Sequence, residues 1–82
     1  MSARAEALDH LVRGIVEDPE AVSVTEKPTR RGPLLEVRVD PADLGRVIGR
    51  SGRTASALRT VMGALAGGKQ VRVDIVDTDR VR

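Results

Sequence analysis

The 82-residue sequence predicts an α+β fold in the order α-β-β-α-α-β, with three helices over one face of a three-stranded sheet. Three observations carry this prediction. Two stretches place apolar residues at i, i+3, i+4 and i+7, the spacing of a helix with one buried face. Three others alternate apolar and polar residues, the spacing of a half-buried strand. Between the second and third alternating stretches lies an Asp-Pro helix start that runs into a turn, Gly49-Arg50-Ser51-Gly52.

The first helix is expected over residues 3–17. Leu8, Leu11, Val12, Ile15 and Val16 form its stripe, Ser2 is its N-cap, and Asp18-Pro19 closes it, because a residue before proline avoids the helical region. His10 lies off the stripe, at an exposed position. Residues 21–27 alternate, with Val22 and Val24 inward. Residues 28–33 gather Pro, Gly, Thr and two arginines into a turn, and residues 34–39 alternate again, with Leu35, Val37 and Val39 inward and Glu36 and Arg38 outward. The two strands should pair as an antiparallel hairpin with Arg30 and Arg31 at its tip. Those arginines are either a solvated loop or an auxiliary phosphate contact.

Asp40-Pro41-Ala42-Asp43 supplies an N-cap, a proline at the first helical position and a favourable first-turn charge. The helix that follows is short because Gly45 and Gly49 weaken it, and its apolar side is Leu44, Val47 and Ile48. Another helix begins near Gly52 or Arg53 and runs to about Ala66, striped by Ala55, Leu58, Val61, Met62 and Leu65 and stopped by Gly67-Gly68. Residues 70–76 form the third strand, with Val71, Val73 and Ile75 inward, and residues 78–82 a flexible tail. A right-handed crossover through two helices lays this strand parallel beside the second. The layers then stack as a two-layer sandwich.

A chain this short makes one domain with a small core. Cysteine is absent and His10 is the single histidine, which excludes disulfides and cysteine-ligated zinc and leaves no basis for a metal site or cofactor. No apolar run approaches a membrane span, and the charged N-terminal stretch argues against a secretory signal, so a cytoplasmic location is expected. The net charge of +2 hides an asymmetry. Residues 44–73 hold six bases and no acid, giving +6, and the remainder holds eight bases and twelve acids, giving −4. That is the electrostatic footprint of a nucleic-acid binder. Phe, Tyr and Trp are absent, so bases cannot stack on aromatic rings. Aliphatic contact, backbone hydrogen bonds and arginine planes are left to hold them.

The turn at residues 49–52 is the candidate site. Glycines let a ligand approach the backbone, a helix that starts there presents free N–H groups, and Arg46, Arg50 and Arg53 ring it with positive charge. Amides of Arg50, Ser51 and Gly52 are candidate phosphate donors. Ser51 either caps the next helix or contacts phosphate. Val47 and Ile48 are plausible core residues. Arg46 and Arg59 are either helix-surface residues or weaker backbone contacts. A nucleotide-binding loop does not fit, because Val47 stands where its first glycine is needed and Arg53 where its lysine is needed. With no cysteine and no spare histidine for nucleophilic or general-base chemistry, a non-enzyme is expected.

Val47-Ile48-Gly49-Arg50-Ser51-Gly52 between two helical segments resembles the signature of the KH domain, an RNA-binding module. The whole chain resembles the small bacterial single-KH proteins of the KhpA family over roughly residues 5–77. The resemblance implies the type II KH arrangement, a turn that holds the backbone of about four nucleotides of single-stranded RNA, and, as the alternative to a core role, a base-facing groove lined by Val47 and Ile48 opposite Val37 or Val39. It also implies a role as RNA chaperone or post-transcriptional regulator. The implied partners are a second copy of the chain or a larger KH-containing protein of the KhpB (Jag) type. A different reading keeps the same surface as a protein-interaction or dimerisation interface with RNA incidental, and nothing in the sequence separates RNA from single-stranded DNA.

Overall fold

A computed structural model describes residues 2–68 and 71–77. The expected tail, residues 78–82, lies outside the described residues. Helix α1 (Ala3–Arg13) leads through a single 3-10 turn, Pro19–Ala21, into strands β1 (Ser23–Thr29) and β2 (Gly32–Val39). A second 3-10 turn, Pro41–Asp43, opens helix α2 (Leu44–Ile48). The turn Arg50–Gly52 separates it from helix α3 (Arg53–Leu65), and strand β3 (Arg72–Asp77) follows. The sheet order is β1-β2-β3, with β2 antiparallel to β1 and parallel to β3. The expected element order and the parallel pairing of β3 beside β2 are both present.

The core is one cluster between sheet and helices. Ala5, Leu8 and Val12 of α1, Leu35, Val37 and Val39 of β2, Val47, Leu58, Met62 and Val73 are all buried within it. Ile15, Val16, Leu44, Val71 and Ile75 pack against it partly buried. Leu11, expected in the stripe of α1, is exposed instead.

Two local differences from the sequence reading have physical causes. First, α1 stops at Arg13 rather than residue 17. Ser2 does cap its start, accepting from the Ala5 amide at 3.1 Å. At the other end a helix would direct the Glu17 amide to the Arg13 carbonyl. Instead that amide donates to Asp43 at 3.1 Å, while the Arg13 guanidinium donates to the carbonyls of Pro19 at 2.7 Å and Val22 at 3.3 Å. Long-range partners thus outbid continuation of the helix.

Second, the hairpin is tighter than the turn composition suggests. Pro28 and Pro33 sit opposite each other in register, and Thr29 faces Gly32, leaving only Arg30 and Arg31 as the loop. Two prolines can oppose each other only at a pair that exchanges no backbone hydrogen bonds. Composition therefore marks the prolines as turn residues although the ladder tolerates them. The Thr29 hydroxyl fastens the tip, accepting from the Arg31 amide at 3.2 Å and from Arg72 at 3.1 Å.

In step with Val22 and Val24, Glu26 pairs with Leu35 in register and so shares the helix-covered face of the sheet. There it receives Arg4 at 2.7 Å and the Ser2 hydroxyl. The Arg4 guanidinium, then the Ser2 hydroxyl, hold its carboxyl below the usual 4.5. On the opposite face Glu36 bridges Lys27 at 3.4 Å and Arg38 at 3.3 Å.

Helix α3 ends as its glycines suggest. The Gly68 amide donates to Gly63 and the Gly67 amide to Ala64, the paired bonds of a Schellman cap.

Candidate nucleic-acid interface

The site begins at Asp40, whose side chain accepts from the Ala42 amide at 2.9 Å with Pro41 in the first helical position. This cap turns the chain out of the central strand and starts α2. Five residues cannot hold a helix alone, so α2 depends on its packing. Val47 supplies that packing: it is wholly buried, whereas Ile48 beside it is 37% exposed. The two readings of this pair, core or groove, therefore divide between them. Val47 is core and cannot touch a ligand in this state, and Ile48 is a surface apolar residue next to the turn. Val37 and Val39, expected to face a groove, are also fully buried under the helices.

Gly49 breaks α2 with φ 79° and ψ 169°, a backbone region that is essentially glycine's alone. A Cβ there would lie 2.3 Å from Thr54 Oγ1 and 2.8 Å from the Thr54 amide nitrogen. Conformation and space both demand glycine. Ser51 then adopts the left-handed region (φ 55°, ψ 26°), the one non-glycine to do so among the described residues. Gly52 follows at φ 75°, where a Cβ would meet nothing within 4 Å. Conformation alone selects glycine at that position.

The hydrogen bonds of the turn refine the donor set. Gly52 donates its amide to the Gly49 carbonyl at 3.1 Å, and Arg53 donates to the Arg50 carbonyl. Gly52, expected as a phosphate donor, therefore closes the turn instead. Arg50 and Ser51 are the amides that find no backbone partner among the described residues. Ser51 does not cap α3 either: the N-cap is Gly52, and no side chain caps it. Its hydroxyl stands exposed on the turn.

The arginines divide sharply. Arg50 and Arg53 are exposed and make no ion pair among the described residues. Arg46 is held by acids, its Nε 3.4 Å from Asp43 and its Nη2 3.4 Å from Glu17. Arg59 donates Nε to the Val73 carbonyl at 3.4 Å, against the edge strand β3. Arg30 and Arg31 are exposed at the hairpin tip, with about 23 Å of strand between them and Val39 at ~3.3 Å per residue. The structure thus presents Ile48, Gly49, Arg50, Ser51, Gly52 and Arg53 as one turn segment that contains no acid. Arg46 and Arg59 are tied into neighbouring structure, and the tip arginines sit at the far end of β2. Among the described residues no group of three or more metal-ligating side chains converges, and no helix is long and apolar enough to cross a membrane.

Asp43 is the residue whose burial sequence reasoning missed. Expected as a favourable first-turn charge, it holds that place but is also 2% exposed and fully engaged. A carboxylate three residues before an arginine at a helix start is a common surface pattern, so the sequence held no signal of its burial.

A three-stranded mixed sheet with helices on one face, and a glycine-bounded turn between α2 and α3, define a KH domain of type II topology. Comparison with known proteins agrees. Residues 5–76 match the family described as KhpA/KhpB, KH domain. A protein of Streptomyces coelicolor named RNA-binding protein KhpA is 65% identical over 77 residues, covering 94% of this chain and 96% of its own. Proteins of the same name from Mycobacterium bovis and Aquifex aeolicus are 56% and 39% identical, covering 92% and 94% of this chain and 92% and 100% of their own. The chain belongs to the KhpA/KhpB KH-domain family. Among solved structures, Aquifex aeolicus Era bound to GDP.AlF4- superposes with a TM-score of 0.57 at 18% identity, over 90% of this chain and 29% of Era. Era in complex with MgGDPNP and nucleotides 1506–1542 of 16S ribosomal RNA gives the same score and identity over 92% of this chain and 31% of that one. At that identity the likeness is one of fold, and this chain spans less than a third of the Era chains.

Proposed function

We propose that the chain is a single KH domain that binds single-stranded RNA by laying the sugar-phosphate backbone against Gly49–Gly52. The observation that carries this reading is the turn itself. Among the described residues the Arg50 and Ser51 amides find no backbone partner and Arg50 and Arg53 no ion pair, and the exposed turn that carries them contains no acid. Phosphate oxygens supply what those groups lack. Backbone contacts of this kind position a strand without reading its sequence, so binding is sequence-tolerant. The naming of the Streptomyces, Mycobacterium and Aquifex relatives as RNA-binding proteins supports the same reading.

Without aromatic stacking a single clamp is weak, with a Kd of about 1 μM, or about −8 kcal/mol. Two linked clamps raise avidity by roughly 10²–10⁴. This favours work as a homodimer or beside a larger KH-containing protein of the KhpB (Jag) type. A cytoplasmic RNA chaperone or post-transcriptional regulator is the role that fits such binding. A second reading, a protein-interaction module, draws on the exposed Leu11, Ile48, Val61 and Leu65.

Fluorescence anisotropy with a labelled single-stranded RNA at several salt concentrations tests the proposal. The double variant Arg50→Asp/Ser51→Asp should abolish binding with an unchanged circular dichroism spectrum. Undiminished binding by the folded variant contradicts the clamp. Loss of self-association with RNA binding intact favours the interaction module.

A further inference from the structure

We propose that Asp43 is a positioning residue for the clamp, with Arg46 acting as its counter-ion rather than as a phosphate ligand; this rests on the RNA-binding reading above. The argument starts from a charge in the wrong place. Asp43 carries a negative charge one residue before the helix that presents a polyanion-binding turn, and residues 44–73 have no other acid. A carboxylate near a phosphate site weakens binding by repulsion. Its geometry gives the compensation. Both carboxylate oxygens accept backbone amides from a distant segment, Oδ1 from Glu17 and Oδ2 from Asp18, each at 3.1 Å. Arg46 closes over it at 3.4 Å and reaches on to Glu17 at 3.4 Å.

This network is the strut that fixes α2. The helix is five residues long, contains Gly45, and has no side-chain hydrogen bond at its own N-cap. Val47 and the partly buried Leu44 anchor its inner side, but apolar contact is non-directional and does not by itself set the rotation of so short a helix. The carboxylate clasping residues 17 and 18 does, because two hydrogen bonds to a planar acceptor set both position and direction. Gly49 follows α2 directly, its amide bonded back to Gly45 at 2.8 Å. Any rotation of α2 therefore re-aims the amides of Arg50 and Ser51.

The two accounts of Asp43 differ in sign. If it acts only through its charge, Asp43→Asn removes repulsion and tightens RNA binding. If it positions the turn, Asp43→Asn weakens binding, on the order of tenfold, the scale for loss of an orienting partner at a ligand site. The test measures Kd for a single-stranded RNA at low temperature, where the variant is folded, and the amide chemical shifts of the free protein. The proposal expects weaker binding by Asp43→Asn and displaced amide signals at Arg50, Ser51 and Gly52. Equal or tighter binding with those signals unmoved overturns it. Arg46→Met is the second variant and decides the matter even if Asp43→Asn does not fold. The slope of log Kd against log salt should stay at the wild-type value. A fall of about 0.7, the loss of one phosphate contact on a single strand, overturns the assignment of Arg46. Should the wild type itself ignore RNA, the clamp reading fails, and the free-protein amide shifts of both variants still decide whether the strut sets the turn.

Discussion

Replacement of Gly49 by alanine isolates the physical basis of the turn, because two other glycines nearby serve as internal controls. At Gly49 the backbone region costs a non-glycine residue about 1–3 kcal/mol. The added Cβ also meets the Thr54 amide nitrogen at 2.8 Å, a backbone atom that no rotamer change can move away. Overpacking of this kind adds about 1–3 kcal/mol, so a total near 4 kcal/mol is expected. Against a stability of about 4–12 kcal/mol for 82 residues, that loss is severe. At ~4–8 °C per kcal/mol it lowers Tm by about 16 °C or more. Gly52→Ala meets nothing within 4 Å and suffers only the left-handed backbone, at about 1–2 kcal/mol, so its Tm should fall by roughly 4–16 °C. Gly45→Ala sits in α2 with open space and no positive φ, and should gain about 0.5–1 kcal/mol. Thermal melts followed by circular dichroism give all three values. A Gly49→Ala variant that melts within about 5 °C of wild type, or no lower than Gly52→Ala, refutes the steric argument.

Other expectations follow from single interactions. Because Arg4 and Ser2 hold the Glu26 carboxyl below 4.5, its contribution to stability is present above that pH and lost as pH falls through the lowered value. Urea titrations between pH 6 and pH 3 should show a steeper acid loss for wild type than for Glu26→Gln, and parallel curves contradict this. Arg50→Gln and Arg53→Gln should each lower the salt slope of RNA binding by about 0.7, measured by anisotropy, and an unchanged slope removes that arginine from the contact set. Met62, fully buried, should cost about 2–5 kcal/mol as alanine, whereas Leu65→Asn at a 58% exposed position should change the unfolding free energy from urea titration by less than about 0.5 kcal/mol. If sedimentation shows the wild type to self-associate and Leu65→Asn to be monomeric, the exposed face of α3 is an interface.

Local chemistry made most of this architecture readable in the chain. The alternation Leu35-Val37-Val39 fixes which face is buried, and the structure buries it; of the α3 stripe, Ala55, Leu58 and Met62 are buried, whereas Val61 and Leu65 are exposed. Asp40-Pro41 and Gly67-Gly68 mark helix ends by hydrogen bonds that need no distant partner. What escaped reading was long-range. The end of α1 depends on Asp43 and Arg13 reaching across the fold. Pro28 and Pro33 become ladder residues only because they face each other. Alternation with Val22 and Val24 places Glu26 inward, but its partners Ser2 and Arg4 come from the start of α1, 22 to 24 residues away in sequence. At the site, spacing identified the turn, but the split between Arg46, bound to acids, and Arg50 and Arg53, free of them, depends on where residues 17 and 43 meet.

The central claim is that two main-chain amides in a glycine-bounded bend receive RNA phosphates, and amide resonances report it directly. Titration of isotope-labelled protein with a short unstructured RNA at low salt should move the Arg50 and Ser51 signals furthest, with Gly49, Gly52 and Arg53 next. Shifts confined to the open face of the sheet or the hairpin tip, with residues 49–53 unmoved at saturation, would contradict it.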